Sequence, residues 1–292
     1  MSAILVTGSS GYLGSRLVRQ LSAEHQVISM SRASTNAAGE HLRGDFSSAQ
    51  DLTLLDRFEI ETVVHLAGVK SKGSEEDAFG INLDGSRRLL RYCIDRGIKH
   101  FVVASSIAAV GCLSPDFLPR ELPMPDHHPC YPADSYGLSK YLMEQTIDFF
   151  GRADHSLEFT VFRIGSVKGD DAPPATMEEI AQTSLPFMAL GTIAAQDVVD
   201  AFALAATTRL GPGVRLLNLV AATSAAPIST ADALRKLIDG GTGNLDLSYY
   251  EVLGNERATI YSIEGIEQTY GFRPQIDVRT MRSLIKSNAA SA

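Results

Sequence analysis

The residues best suited to chemistry are Tyr136 and Lys140, four positions apart in the run YGLSK. In a helix, that spacing puts both side chains on one face, one turn apart. A phenol needs help to exchange protons near neutral pH, and a neighbouring ammonium lowers the phenol pKa by favouring phenolate. The pair indicates an acid/base site, although an isolated YxxxK is a weak signal. Ser105 and Ser106 end a predicted strand, and one of these hydroxyls could hold a substrate oxygen beside Tyr136.

A glycine-rich turn near the start of the chain points to a phosphate-bearing cofactor. Gly8, Gly11 and Gly14 follow a predicted strand and open a predicted helix. Backbone N–H groups in such a turn can approach a pyrophosphate, and the helix N-terminus adds a partial positive charge. An ordinary strand-to-helix turn is the alternative, but the position in the first βα unit favours dinucleotide binding.

The end of the second predicted strand, Met30-Ser31-Arg32, bears on the choice of dinucleotide. An acidic residue there would bond a free ribose 2′-hydroxyl and repel a 2′-phosphate. This chain has an arginine instead, so the sequence predicts NADP(H) in preference to NAD(H). The alternative is that Arg32 is a solvated loop cation.

Alternating strand and helix patterns supply the elements that must position these residues. Short β-branched runs followed by longer helical patterns indicate βαβ units and a parallel sheet. We therefore expect an α/β fold with a Rossmann-like doubly wound sheet and helices on both faces. The predicted strands are 3–7, 26–30, 62–66, 100–105, 158–163 and 215–220, and the predicted helices are 12–23, 49–58, 76–96, 135–151 and 196–207.

Less regular segments follow, and we expect them to form a small C-terminal substrate-binding lobe. The predicted dinucleotide-binding domain covers 1–165 and 193–220, and the lobe covers 166–192 and 221–286. The last residues, 287–292, are expected to be a frayed tail. The proline-containing segment 115–132 is predicted to be a long loop of the kind that forms lids.

Composition argues against several classes of protein. The 26 basic and 34 acidic residues give a formal charge of −8, which repels nucleic-acid phosphates and anionic lipid. The longest apolar stretch is shorter than the roughly 18 residues of a membrane span, and no leader precedes the first strand. Three cysteines without CxxC spacing fit a reducing compartment. We therefore expect a cytoplasmic protein with no nucleic-acid, membrane or metal partner.

Taken together, the motifs resemble those of the extended short-chain dehydrogenase/reductase (NAD-dependent epimerase/dehydratase) family. TGSSGYLG, HLAG, NLDG, SSIAAVG and YGLSK occur in the family's order, and the likeness continues through FRIGSVKG, AAQDVVDAF and YGFRPQ. The resemblance implies that Ser106 is the catalytic hydroxyl, Tyr136 the acid/base and Lys140 the lysine that binds the nicotinamide ribose. It also implies that Asn82 steadies the sheet edge and that Asp197 is structural.

The glycine turn, Arg32 and the resemblance together give two sets of binding residues. The cofactor-binding set is Gly8, Ser10, Gly11, Tyr12, Leu13, Gly14, Arg32, Asp45, Phe46, Leu66, Ala67, Gly68, Lys140 and Ile164. The substrate-binding set is Lys70, Ser106, Ile107, Tyr136 and Ser166. Lys70, Lys72 and Lys168 lie on predicted loops, where they could attract a carboxylate or phosphate or simply be solvated.

Two departures from the family pattern narrow the reaction. The family's sugar dehydratases carry an acidic pair beside the catalytic hydroxyl, whereas this chain has Ile107, Ala108 and Ala109, which argues against dehydration. The segment between Arg163 and Asp197 is short. Nucleotide-sugar epimerases of the family use a longer insertion there, so the case for a UDP-sugar substrate is weakened.

The leading hypothesis is hydride transfer between NADP(H) and a small alcohol or carbonyl compound, including sugar-derived ones. One alternative is an NAD-dependent sugar epimerase, in which the hydride leaves and returns. Another is a non-catalytic dinucleotide sensor, which would have no use for Ser106, Tyr136 and Lys140. Family members often pair subunits through the helices at 76–96 and 135–151, so the resemblance also implies a homodimer.

Overall fold

The computed structural model describes residues 2–34, 39–70, 73–238 and 245–281, and the predicted tail at 287–292 lies outside them. The chain divides into two compact units. The first consists of Met1–Ser105, Ser135–Phe162 and Val199–Leu216, and the second of Ser106–Asp134, Arg163–Val198 and Leu217–Ala292. The division expected from the sequence keeps 106–134 with the dinucleotide-binding domain, whereas the structure groups this segment with the second unit.

The strands are β1 (Ala3–Thr7), β2 (Val27–Ser31), β3 (Glu40–Arg43), β4 (Ile60–His65), β5 (His100–Ser106), β6 (Glu158–Ile164), β7 (Ser166–Lys168), β8 (Thr192–Ala194) and β9 (Gly213–Leu219). Seven of them form one sheet in the order β3-β2-β1-β4-β5-β6-β9. β1 pairs in parallel with β2 and with β4, so that Thr7 lies opposite both Met30 and His65. All residues of β1 and β2 are buried, as expected for strands covered on both faces. The predicted Rossmann-like doubly wound fold is confirmed.

Helices connect these strands. α1 buries Gly14, Leu17, Val18 and Leu21, the spacing of a single apolar face. Within the described residues, no helix has the length and apolar character that crossing a membrane requires. The α-helices are α1 (Tyr12–Leu21), α2 (Ala49–Leu52), α3 (Glu75–Asp77), α4 (Ser86–Asp95), α5 (Ser135–Ala153), α6 (Met177–Gln182), α7 (Pro186–Leu190), α8 (Ala195–Thr207), α9 (Thr230–Leu237) and α10 (Glu264–Tyr270).

The sheet has one strand more than the six that the sequence predicts. The additional strand is β3, with the sequence EHLR, and it pairs with β2 so that Arg43 lies opposite Ser31. Only Leu42 of this strand is buried. An edge strand with a single buried side chain lacks the apolar run or alternation by which strands are recognised in a sequence.

The helix predicted at 76–96 is divided. α3 leads into a π-helical stretch, Ala78–Gly85, before α4 begins at Ser86. Asn82 is buried in that stretch, where its side chain accepts a hydrogen bond from the Val69 backbone N–H at 2.8 Å and donates to the Val69 carbonyl. Such widened turns occur often at functional sites.

The second unit is held together partly through its 106–134 segment, most of which is the predicted long loop. The Asp126 carboxylate accepts a hydrogen bond from the Asn218 backbone N–H at 2.6 Å, and burial raises the pKa of this carboxyl to about 6. The Arg163 guanidinium donates to the Asp126 carbonyl at 3.0 Å. Met124 bridges to Tyr261, whose buried hydroxyl donates to the Phe187 carbonyl. The loop is therefore tied to three other stretches of the same unit.

Candidate functional site

The glycine turn has the conformation that close backbone approach requires. Gly8 has a positive φ of 76°, and a Cβ added there would lie 2.7 Å from the Ala67 nitrogen. A Cβ at Gly14 would lie 2.2 Å from the Gly8 carbonyl oxygen, which no side chain could tolerate. Gly11 donates to that same carbonyl at 2.9 Å, which closes the turn. Each of the three predicted glycines therefore contributes to the turn.

The start of α1 is suited to an anion. Its N-cap residue, Gly11, provides no side-chain hydrogen bond, and no acidic residue lies in the first turn. The first N–H groups of a helix have no partner within the helix, and here no side chain of the cap occupies them. Ser10 and Tyr12 are exposed beside this turn and Leu13 is half-buried, so all three predicted contacts lie near the helix start.

Two arginines mark the ends of β2 and β3. Arg32 follows β2 and is exposed, and the exposed Arg43 ends β3 and donates from Nε to the Arg32 carbonyl at 3.3 Å. No carboxylate occurs among residues 30–34, and the arginine predicted from the sequence has a second cation beside it. Arg43 was not predicted, because its approach depends on the β2–β3 pairing.

Asp45 and Phe46 follow β3. The Asp45 carboxylate accepts hydrogen bonds from the Ser47 N–H at 2.9 Å and the Ser47 hydroxyl at 2.7 Å. Phe46 is buried in the core, with its ring edge-on to the ring of His65 at a centroid distance of 4.8 Å. The Phe46 side chain is therefore occupied by packing, and any cofactor contact would come from its exposed atoms or backbone.

His65 anchors the end of β4. Its ring is hydrogen-bonded to the Thr7 hydroxyl at 2.7 Å and to the Ser86 hydroxyl at 2.8 Å. Burial, with a smaller contribution from the Lys140 charge, lowers the pKa of His65 to about 3. The imidazole is therefore neutral near pH 7 and joins three elements rather than exchanging protons.

Gly68, Asn82 and Lys140 come together after β4. A Cβ at Gly68 would lie 2.7 Å from Asn82 Oδ1 and 3.6 Å from Lys140 Nζ. Asn82 also donates from Nδ2 to the Ser139 hydroxyl at 3.1 Å, so its amide bonds both the Val69 backbone and α5. These contacts give Asn82 a structural role. Leu66 and Ala67 precede this cluster and are half-buried.

Lys140 is a buried cation in α5. Its side chain is nearly inaccessible, and Nζ donates to the Ala104 carbonyl at 3.0 Å. Burial lowers the pKa of Lys140 to about 8, and the nearby Glu144 carboxylate acts in the opposite direction. Tyr136 is half-buried in the first turn of the same helix, one turn before Lys140. The predicted tyrosine and lysine thus lie on one face of α5.

The remaining predicted residues belong mostly to the second unit. Ser106 caps the 3₁₀-helix Ile107–Val110, where its Oγ accepts a hydrogen bond from the Ala108 N–H at 3.1 Å. Ile107 and Ile164 are buried, and Ser166 is half-buried at the start of β7. In the first unit, Lys70 is exposed, and Lys72 lies outside the described residues.

A family model described as "NAD dependent epimerase/dehydratase family" matches residues 4–214. The match runs through the large sheet from the second residue of β1 to the second residue of β9, and it includes the glycine turn, Asn82, Ser106, Tyr136 and Lys140. This chain belongs to the NAD-dependent epimerase/dehydratase family. As the sequence motifs predict, the chain is a member of the extended short-chain dehydrogenase/reductase group.

Known relatives of this family member include UDP-glucose 4-epimerases. The enzyme of Streptococcus mutans is 28% identical over 181 residues, which are 57% of this chain and 52% of the relative. The enzyme of Mus musculus is 26% identical over 246 residues, which are 74% of this chain and 69% of the relative. The chain thus spans about half of the first relative's length. A short-chain dehydrogenase/reductase superfamily protein of Agrobacterium tumefaciens with bound NAD has the same fold, with a TM-score of 0.72, 21% identity and coverage of 99% and 97%.

Two buried residues of this epimerase/dehydratase-family chain were not predicted as partners. Ser105 donates to Glu144 Oε1 at 2.5 Å, and each residue is only 3% exposed. The Ser105 hydroxyl is therefore engaged inside the protein, which leaves Ser106 as the candidate for holding a substrate oxygen. The available signal was the position of Glu144, one helical turn after Lys140. Among the described residues, no group of three or more His, Cys, Asp or Glu is arranged to hold a metal.

Proposed function

We propose that this enzyme catalyses reversible hydride transfer between a nicotinamide dinucleotide and a small alcohol or carbonyl compound. The observation that carries this proposal is the setting of Lys140, whose buried ammonium is anchored to the Ala104 carbonyl one helical turn from Tyr136. A cation at that distance favours the phenolate form of the tyrosine. Tyr136 is thereby suited to accept a proton near neutral pH.

The first unit fits the dinucleotide that this chemistry needs. The glycine turn has no room for side chains at Gly8 and Gly14, and the start of α1 offers N–H groups to a pyrophosphate. Asp45 would face the adenine, Gly68 would lie beside the adenosine-side ribose, and Lys140 would hold the nicotinamide ribose. When bound, the nicotinamide accepts or supplies the hydride.

The roles of the protein groups follow from their chemistry. As the carbinol carbon of the substrate loses its hydride, Tyr136 accepts the hydroxyl proton, and the alcohol becomes a carbonyl compound. In the reverse direction Tyr136 returns that proton. Ser106 donates a hydrogen bond to the substrate oxygen, since its Oγ already accepts one from Ala108. We assign Ile107, Ser166 and Lys70 to substrate binding.

We further propose that the enzyme prefers NADP(H). The support for this preference is the pair of exposed arginines, Arg32 and Arg43, at the ends of β2 and β3, and the lack of an acid after β2 that could bond a free hydroxyl. The Agrobacterium structure carries NAD, which favours the other dinucleotide. Cofactor preference is therefore the first property to measure.

The test begins with release and identification of any nucleotide that copurifies with the protein. Thermal shifts are then measured with NAD, NADH, NADP and NADPH, because a ligand that binds only the folded state raises its stability. Turnover is measured on sugars, hydroxy acids, aldehydes and ketones, with Tyr136→Phe alongside. We expect cofactor-linked turnover that falls by at least about a hundredfold in the variant while cofactor binding persists. Equal activity of the two proteins would refute the proposal.

A second candidate is an NAD-dependent sugar epimerase. It is favoured by the Streptococcus and mouse relatives, both UDP-glucose 4-epimerases. An epimerase keeps its cofactor through many cycles, because the hydride returns to the same substrate. Retained NAD, with interconversion of sugar epimers and no net change in cofactor absorbance, would support this candidate over the dehydrogenase.

We also propose that the enzyme is a cytoplasmic homodimer. Cys93, Cys112 and Cys130 form no disulfide, as a reducing compartment would require.

A groove of about 480 Å³ runs along α4 and α5, and Phe149 within it is 53% exposed. Two copies of the face could bury this side chain by two-fold symmetry. The groove is lined by Leu83, Arg87, Arg91, Leu142, Gln145, Thr146, Phe149 and Phe150.

A further inference from the structure

Behind the proposed catalytic tyrosine and lysine lie two buried residues, Ser105 and Glu144, to which the proposed function gives no role. Tyr136, Lys140 and Glu144 occupy successive turns of α5, four residues apart. Two consecutive residues of β5 contact this face: the Ala104 carbonyl accepts a hydrogen bond from Lys140 Nζ at 3.0 Å, and the Ser105 hydroxyl donates to Glu144 Oε1 at 2.5 Å. One strand therefore holds both Lys140 and Glu144.

Burial makes the charged form of Lys140 energetically unfavourable. The side chain is 6% exposed, and an ammonium removed from water is destabilised unless an anion compensates it. Burial lowers the pKa of Lys140 to about 8, and Glu144 raises it. His65 of β4 lies near Lys140 and is neutral, with a pKa of about 3. Tyr136 precedes Lys140 by one turn of α5, and the nearby Asn82 from the π-helical stretch is uncharged.

We propose that Glu144, oriented by the Ser105 hydroxyl, is a positioning residue that keeps Lys140 charged and in place beside Tyr136. This inference rests on the proposed function, since a charged Lys140 matters only if Tyr136 exchanges protons. Glu144 is 3% exposed and would act through Lys140. Ser105 supplies the hydrogen bond that orients the Glu144 carboxylate.

The experiment follows the titration of Lys140 directly, so that it does not depend on knowing the substrate. Lysine side chains are isotope-labelled, and the Lys140 signal is identified by its loss in Lys140→Met. The titration is recorded by NMR in the wild type, Glu144→Gln and Ser105→Ala. The matched control is Glu158→Gln, because Glu158 is an equally buried carboxylate of the first unit that bonds Arg209 and Leu210 instead.

Glu144→Gln keeps the shape of the side chain and an acceptor for Ser105 while removing the charge. We expect the Lys140 pKa to fall by about one unit or more in this variant, by less in Ser105→Ala, and not at all in Glu158→Gln. The same pKa in wild type and Glu144→Gln, or an equal shift in Glu158→Gln, would overturn the inference. If Glu144→Gln does not fold, the test rests on Ser105→Ala. An unchanged Lys140 pKa in Ser105→Ala would then contradict the role given to Ser105 and Glu144.

Enzyme kinetics separate this inference from the proposed function. With a substrate in hand, the basic limb of the kcat/KM profile should move to lower pH in Glu144→Gln, and Glu144→Asp should restore most of the wild-type profile. A merely structural role would lower activity without moving that limb. If the Lys140 pKa shifts in Glu144→Gln but the enzyme shows no cofactor-linked turnover, only the proposed function is refuted. If turnover is observed but the Lys140 pKa does not shift in Glu144→Gln, only the positioning role is refuted.

Discussion

The choice between the two dinucleotides depends on single guanidinium groups. Arg32→Ala should raise the Kd for NADPH about tenfold or more and leave the Kd for NADH nearly unchanged, because a charge-assisted hydrogen bond to phosphate is lost. Arg43→Ala should act in the same direction. Arg43 bonds the Arg32 backbone, so removing it also loosens the neighbouring residue. Titration of each variant with both reduced cofactors, followed by fluorescence, measures the change.

Arg57→Ala provides the matched control for these variants. Arg57 is an exposed arginine of the same unit whose guanidinium pairs with Glu40. Its loss should change neither affinity. If all three arginine variants weaken the binding of NADPH equally, general electrostatic attraction rather than a site for the 2′-phosphate accounts for the preference.

At the scale of single elements, the turn between β1 and α1 tolerates no side chain at its third glycine. In Gly14→Ala the new Cβ would meet the Gly8 carbonyl at 2.2 Å, so the turn must open or the helix must shift. We expect the free energy of unfolding to fall by about 1–3 kcal/mol and dinucleotide affinity to fall at least about tenfold. Denaturant unfolding and cofactor titration give the two numbers.

Gly80→Ala is the comparison for this turn. A Cβ at Gly80 would meet nothing within 4 Å. The variant should stay within about 1 kcal/mol of the wild type, with normal cofactor affinity. A Gly14→Ala protein as stable and as tightly binding as Gly80→Ala would show that the turn is not packed as described.

The elements also show which features could be predicted from the sequence. The glycine turn, Tyr136 and Lys140 were predictable because their chemistry resides in short spacings along one element. β3 was missed because a single buried residue, Leu42, gives no pattern. The contact between Ser105 and Glu144 joins residues 39 positions apart, and no local pattern records which strand a helix will cover.

At the scale of the whole molecule, His65 should make stability depend on pH. Its pKa is about 3 in the folded protein against 6.5 in a free side chain, so the unfolded chain binds the proton first. The stabilisation is fully present above pH 6.5 and is lost as the pH falls toward 3. Over the full shift from 6.5 to about 3, the loss is on the order of 5 kcal/mol. Denaturant unfolding at a series of pH values in this range gives the free energy of unfolding. In His65→Gln this free energy should depend less steeply on pH than in the wild type.

The exposed His155 supplies the control for that measurement. His155→Gln should retain the wild-type dependence of stability on pH, because this side chain lies at the surface. Carboxylates also contribute to acid unfolding, and the difference between the two variants removes their share. Identical slopes in both would contradict the role given to the buried imidazole.

The proposed dimer makes a prediction at the same scale. Phe149→Glu should convert the dimer to a monomer in analytical ultracentrifugation while leaving the fold intact, because the side chain is already half exposed within one copy. Leu253→Glu changes an apolar residue that is 93% exposed in the second unit, and it should remain dimeric. A monomeric wild-type protein would contradict the proposed dimer. A dimeric Phe149→Glu would show that the interface does not include this face.

The division into units was the feature least accessible to sequence reasoning. The sequence predicts that segment 106–134 belongs to the dinucleotide-binding domain, which the structure does not group it with. In the structure its partners are distant in sequence: Asp126 bonds Asn218 across 92 positions, and Met124 bridges to Tyr261. Local patterns identify elements well, whereas membership of a compact unit depends on pairings that only the folded chain establishes.

The interleaving of the two units has a consequence for synthesis on the ribosome. The first unit includes Val199–Leu216, and Gly213 there donates to the Leu157 carbonyl. An emerging chain that stops before residue 199 therefore lacks part of that unit, so sheet completion must wait until more than two thirds of the chain has been made. Until then β6 has an unpaired edge, a state prone to association. Chaperone dependence in the cell should therefore be greatest for this long nascent intermediate.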